Sequence, residues 1–77
     1  MKEINVKVYE YKIAKETYYI YVYKTEDNMT GFYIRKKDYG IIKFEVGIEI
    51  EKLNKTIEEF IDENIIEWAY FYNKEVE

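Results

Sequence analysis

Cysteine, histidine, serine, proline and glutamine are all absent from this 77-residue chain, and leucine occurs once, at Leu53. Each absence excludes something. Without cysteine there are no disulfides and no thiolate metal sites. Without histidine the commonest transition-metal ligand is gone. Lacking serine, cysteine and histidine together, the chain cannot build a triad or dyad on them. Carboxylates are plentiful, but acid–base chemistry needs two of them in one pocket with separated pKa values, and these fall on solvated faces. Glu58 and Asp62 lack the loop spacing of a cation site. The three glycines, Gly31, Gly40 and Gly47, are scattered, and none opens a helix to cradle phosphate. The chain therefore reads as a protein that is not an enzyme, with no cofactor and no metal site.

What is present is isoleucine, lysine, tyrosine and glutamate. Apart from glutamate, these residues mostly have AT-rich codons, a bias common in bacteria, their phages and archaeal viruses. The length fits one domain, residues 1–77. A domain of this size buries only about 60% of its unfolded surface, and small domains are commonly reinforced by disulfides, metals or self-association. With disulfides excluded and the usual metal ligands absent, a homodimer is expected. The start, Met1-Lys2-Glu3-Ile4, has no continuous apolar segment and no stretch reaches membrane-spanning length, so a cytoplasmic protein with no membrane contact is expected.

Net charge is −4, unevenly spread: residues 1–44 carry +3, residues 45–67 carry −6 and the last ten −1. Such asymmetry bears on partner choice and encounter rate rather than on fold.

Residues 41–51 alternate cleanly, Ile42, Phe44, Val46, Ile48 and Ile50 against Lys43, Glu45, Gly47, Glu49 and Glu51. That is a strand with one apolar face. Phe32 and Ile34 sit in phase with it if the turn between holds an odd number of residues, which Asp38-Tyr39-Gly40 supplies with glycine at the left-handed position. This pairing sets Tyr33 against Glu45 and Arg35 against Lys43. In Tyr18-Tyr19-Ile20-Tyr21-Val22-Tyr23, the inward set is Tyr18, Ile20 and Val22. The first strand changes phase, Ile4, Val6 and Val8 then Tyr9, Tyr11 and Ile13, so a bulge near Val8 and Tyr9 is expected to turn both sets inward. A turn at residues 14–17 then pairs Ile13 with Tyr18. Residues 25–30 read as the loosest loop. Gly47 reads as an outward position marking a bend, in preference to a close approach by another backbone.

Thr56 and Glu59 form a capping-box pair. After it, Ile57, Phe60, Ile61, Ile65, Trp68 and Tyr72 fall on one helical stripe, extended by Phe71, with Asn64 where the stripe grazes solvent. A rival reading ends the helix near Asn64 and makes residues 65–72 a fifth strand. The preferred architecture is α+β: four antiparallel strands in a meander with one C-terminal helix on one face, ββββα. The helix covers Ile20, Ile34, Phe44 and Val46 and leaves the other sheet face bare. The pattern is generic and carries no family signature.

Two surfaces carry the candidate functional residues. The outward sheet face carries Tyr19, Tyr21, Tyr23 and Tyr33 beside Arg35. Tyrosine offers large area, few rotamers and a polar tip, which suits a protein contact. The helix outside carries Glu58, Glu59, Asp62, Glu63 and Glu67, interrupted by Ile66 and Tyr70 one turn apart. Closely spaced carboxylates present a field like that of phosphates and would steer toward a basic partner, while Ile66 and Tyr70 form a narrow seam for pairing. These residues together are the candidate partner-binding set. The leading expectation is a protein-binding domain acting as an inhibitor, from a phage or mobile element, of a host nucleic-acid-binding or defence protein. The alternatives are a single-strand nucleic-acid binder stacking bases on the tyrosines, against which the net acidic charge argues, and a homodimeric structural protein whose tyrosines bury each other.

Overall fold

The structure, a computed structural model, describes residues 4–40 and 43–76, and the side chains of 7–40 and 47–75. Strands β1 (Ile4–Ile13), β2 (Glu16–Lys24), β3 (Thr30–Lys36) and β4 (Lys43–Ile48) pair antiparallel in the order β1-β2-β3-β4. A short 3-10 turn, Ile50–Leu53, leads into helix α1 (Ile57–Val76). The fold is the ββββα meander expected from the alternation.

A two-residue turn joins β1 to β2, with both Ala14 and Lys15 left-handed (φ 51° and 71°). Paired positive φ values match the twist of the flanking strands, so the hairpin closes tightly without a glycine. Ile13 therefore pairs with Glu16 and Tyr11 with Tyr18, correcting the expected pairing of Ile13 with Tyr18. The phase change in β1 also lies earlier than expected, between Ile4 and Lys7. Tyr9 and Tyr11 accordingly sit opposite Ile20 and Tyr18 and pack against the core, as does Ile13. Val8, expected inside, is opposite Tyr21 on the outer face and 51% exposed. The side chains of Ile4 and Val6 lie outside the described set.

The connection from β2 to β3 is not loose. Thr25 N–H donates to the Met29 carbonyl (3.0 Å), Asn28 N–H to the Thr25 carbonyl (3.1 Å) and Met29 N–H to Thr25 Oγ1 (3.1 Å), with Asn28 left-handed. Gly47 fits against this loop: a Cβ there would sit 3.1 Å from Met29 Cβ, so the glycine marks a close approach.

After β3, Tyr39 N–H donates to the Lys36 carbonyl (3.1 Å), and the left-handed residue is Asp38 (φ 69°). No described glycine has positive φ, so the expected left-handed Gly40 is corrected. With the turn placed two residues earlier, the pairing moves by one. Tyr33 sits opposite Phe44, not Glu45, and Lys43 opposite Ile34, not Arg35. A shift between Phe32 and Thr30 re-phases the strand, so that Ile48 pairs with Thr30 and packs on the core. Ile42 lies outside the described residues, as do the side chains of Phe44 and Val46.

Helix α1 starts on its capping box: Thr56 N–H donates to Glu59 Oε1 (2.9 Å) and Glu59 N–H to Thr56 Oγ1 (3.1 Å). Those bonds hold the Glu59 carboxyl below its usual pKa, chiefly through the Thr56 N–H. The helix runs unbroken through residues 65–72, so the fifth strand does not form. Its buried stripe is Ile61, Ile65, Ala69 and Tyr72, packed on Tyr18, Ile20, Val22, Phe32, Ile34 and Ile50. Phe60 and Trp68 flank the stripe with their rings each 5.3 Å from that of Phe32. Asn64 donates its side-chain N–H to the Phe60 carbonyl (2.8 Å), which satisfies a half-buried amide inside the stripe. Phe71, expected to extend the stripe, is 51% exposed.

Two polar ties fix the helix on the sheet. At its first half, Tyr11 O–H donates to Asp62 Oδ1 (2.9 Å). At its last turn, Lys36 Nζ donates to Asn73 Oδ1 and Asn73 Nδ2 to Tyr18 Oη, both at 2.7 Å. Lys36 is buried, and its ammonium lies near the negative end of the helix dipole and 4.5 Å from the Tyr39 ring centre.

Candidate functional site

Strand alternation and register bring the sheet-face residues together. Tyr21 pairs with Tyr33, Tyr19 with Arg35 and Tyr23 with Gly31, all on the side away from α1, with Val8 and Glu10 of β1 beside Tyr21 and Tyr19. Arg35 organises the cluster. Its Nε and Nη2 both donate to Tyr21 Oη (3.2 and 3.1 Å), its guanidinium lies 5.0 Å from the Tyr19 ring centre, and Nη1 donates to the Tyr39 carbonyl (3.3 Å). The bonds to the Tyr21 hydroxyl raise the Arg35 pKa further. One cation thus orients two tyrosines and closes off the β3 turn.

Tyr23 behaves differently from the other three. Its ring stacks on Tyr33 (4.8 Å between centres, 23° between planes) and lies over the backbone of Gly31. A Cβ at residue 31 would come within 2.1 Å of Tyr23 Cζ, so this close approach requires glycine. Only 5% of Tyr23 remains exposed, and it acts as a support for Tyr33. Tyr19, Tyr21, Tyr33 and Arg35 are half-buried, each offering part of its surface. Val8 is the member of this face that alternation alone assigned to the interior; placing it outward needs the position of the bulge.

The outer side of α1 carries the second set. Glu58, Glu59, Asp62, Glu63 and Glu67 are all exposed. Two of the carboxylates are engaged away from the helix, Asp62 by Tyr11 and Glu63 by an ion pair with Lys55. Among them Ile66 is 63% and Tyr70 62% exposed, and Phe71 joins Tyr70 edge-to-face at 5.4 Å. Three large apolar side chains exposed within six residues of one helix form a patch, rather than scattered surface residues. The helical stripe implied that Phe71 was internal; its place in this patch is set by where α1 rolls on the sheet.

A third cluster, Asp27, Asn28, Glu49, Glu51 and Lys52, lines a shallow cleft beside the β2–β3 loop. Two of its carboxylates are answered by lysines, Glu51 by Lys24 (3.0 Å) and Glu49 by Lys52 (2.5 Å), the third, Asp27, accepts from the Thr25 hydroxyl, and the Lys24 bond holds the Glu51 carboxyl below its usual pKa. Among the described residues no three acidic side chains converge as metal ligands, and no helix is long and apolar enough to cross a membrane.

No protein family, no curated protein and no solved structure matches this chain.

Proposed function

We propose that this chain is a non-enzymatic protein-binding domain that uses the outer sheet face as its contact surface. The observation that carries this reading is Arg35 holding Tyr19 and Tyr21 in fixed orientations, beside exposed Val8, on a face that no described element crosses. Aromatic side chains already ordered in the free protein lose little entropy on binding, which is the property of an interface anchor. The carboxylates of α1 add a negative field that favours a partner with a basic surface. Small size, acidic charge and a composition without serine, cysteine or histidine fit an inhibitor of a nucleic-acid-binding or defence protein, of the kind that phages and mobile elements carry.

Direct binding of single-stranded nucleic acid is the less favoured reading. Arg35 is already engaged with Tyr21 and Tyr19, and the chain is net acidic. Fluorescence anisotropy of a labelled oligonucleotide at low salt separates the two. No binding at micromolar protein is expected, and binding lost on Tyr19→Ala would replace the protein-binding reading with the nucleic-acid one. For an isolated protein partner, charge reversal at Glu58 and Glu67 is expected to slow association and flatten its salt dependence; unchanged kinetics would remove the steering role of the helix.

A further inference from the structure

We infer that the outer face of α1 pairs with the same face of a second copy of this chain, the two helices running antiparallel about a twofold axis near residue 68. At 100° per residue, Glu63, Ile66, Tyr70 and Lys74 fall within an arc of about 80° on the side opposite the buried stripe. The two apolar members sit in the middle of this seam and the two charged members at its ends. Carboxylates occupy the N-terminal half of the outer face, and Lys74 is the basic residue of the last turn.

That order selects both the occupant and the direction. In an antiparallel pair centred at residue 68, Ile66 lies over Tyr70 of the second copy. Lys74 then falls over Asp62 and Glu63 of the second copy, and the twofold axis repeats each contact. A parallel pair would instead set Glu63 against Glu63 and the two acidic halves together. Antiparallel packing also opposes the helix dipoles. A second copy thus meets the apolar centre with its own Ile66 and Tyr70 and brings Lys74 to Glu63, whose carboxylate also holds Lys55. Phe71, edge-on to Tyr70, widens the apolar centre. The pairing leaves both tyrosine faces directed outward, so it is independent of the sheet-face reading, and a failure of either leaves the other standing.

The apolar centre is three side chains, a fraction of the roughly 800 Å² per partner of a standard interface, so a weak dimer with a dissociation constant on the order of 10 µM is expected. Sedimentation equilibrium tests it, over a range spanning that constant roughly tenfold either way. Wild-type protein is expected to shift from monomer to dimer mass across this range. Tyr70→Glu, at an exposed position, should stay monomeric with an unchanged circular dichroism spectrum and melting temperature. Lys74→Glu should weaken the dimer about tenfold, and Glu63→Lys combined with Lys74→Glu should recover most of that loss, because the pairs re-form inverted. Orientation is read separately, since the chain has no cysteine of its own. A mixture of the Glu63→Cys and Lys74→Cys proteins should cross-link chiefly to each other, whereas a parallel pair would cross-link each variant to itself. A monomeric wild type throughout, a Tyr70→Glu dimer of undiminished strength, or self-cross-linking of each variant would each overturn the proposal.

Discussion

Tyr23 lies across the sheet from Gly31, and its ring fills the volume that a side chain at residue 31 would occupy. Gly31→Ala must displace the ring from its stack on Tyr33 and expose a side chain that is now covered. The expected loss is about 1–3 kcal/mol by urea denaturation. In a Tyr23→Ala background the clash is gone, and Gly31→Ala should be neutral or gain about 0.5 kcal/mol, because alanine has less backbone freedom to lose. An equal loss in both backgrounds would show that the ring is not what residue 31 meets.

The Tyr11–Asp62 bond gives stability a defined response to high pH. Burial and the Asp62 carboxylate push the Tyr11 pKa up from 10.0 to about 12. The unfolded chain releases this proton near pH 10 while the folded chain keeps it. The stabilisation is therefore fully present below pH 10 and is lost as pH rises toward 12. The Tyr11–Asp62 bond lies at the surface, so screening holds the effect to about 1 kcal/mol or less. The wild type should exceed Tyr11→Phe in stability at pH 8, and the difference should vanish by about pH 12. A constant difference across this range would mean that the hydroxyl does not titrate against Asp62.

Removing the capping hydroxyl with Thr56→Ala should cost about 1 kcal/mol, since it leaves the Glu59 N–H without its partner. The reciprocal bond from Thr56 N–H to the Glu59 carboxylate adds stability above the usual carboxylate pKa, lost as pH falls through the lowered folded value. Glu59→Gln should therefore differ from wild type at neutral pH and converge with it in acid, which thermal melts across that range would measure.

The contact between Lys36 and Asn73 joins a buried ammonium to the last turn of α1. Asn73→Ala takes away its acceptor and also the donor to Tyr18 Oη, with an expected cost of about 2 kcal/mol. Pairing it with Lys36→Met should return part of that loss, because an apolar side chain needs no partner there. A double variant less stable than Asn73→Ala alone would show that Lys36 is satisfied by other groups.

How much of this was legible follows from the range of each signal. Tyr18, Ile20 and Val22 were readable as inward and Tyr19 and Tyr21 as outward, because alternation is local to one strand. The capping box was readable because both bonds lie within four residues. The pairing of β3 with β4 was not, since it depends on which residue takes positive φ, and Asp38 does so where Gly40 had the better propensity. The position of Val8 hung on a bulge that could sit at several places between Ile4 and Tyr9. Ala69 drew no notice in the stripe because a methyl group adds little to periodicity, yet it is buried in the core between helix and sheet. Arg35 was visible as a basic residue beside tyrosines. That its guanidinium binds Tyr21 and covers Tyr19 depends on register and rotamer together.

The proposed function stands or falls with the outer sheet face as the contact surface. The direct measurement is quantitative capture from the native host, using the wild type, Val8→Glu, Tyr19→Ala and Tyr70→Glu as baits of matched folding. One protein should be retained by the wild type and by Tyr70→Glu, with retention reduced about tenfold or more by Val8→Glu and by Tyr19→Ala. A protein retained equally by all four baits, or lost only with Tyr70→Glu, would contradict it.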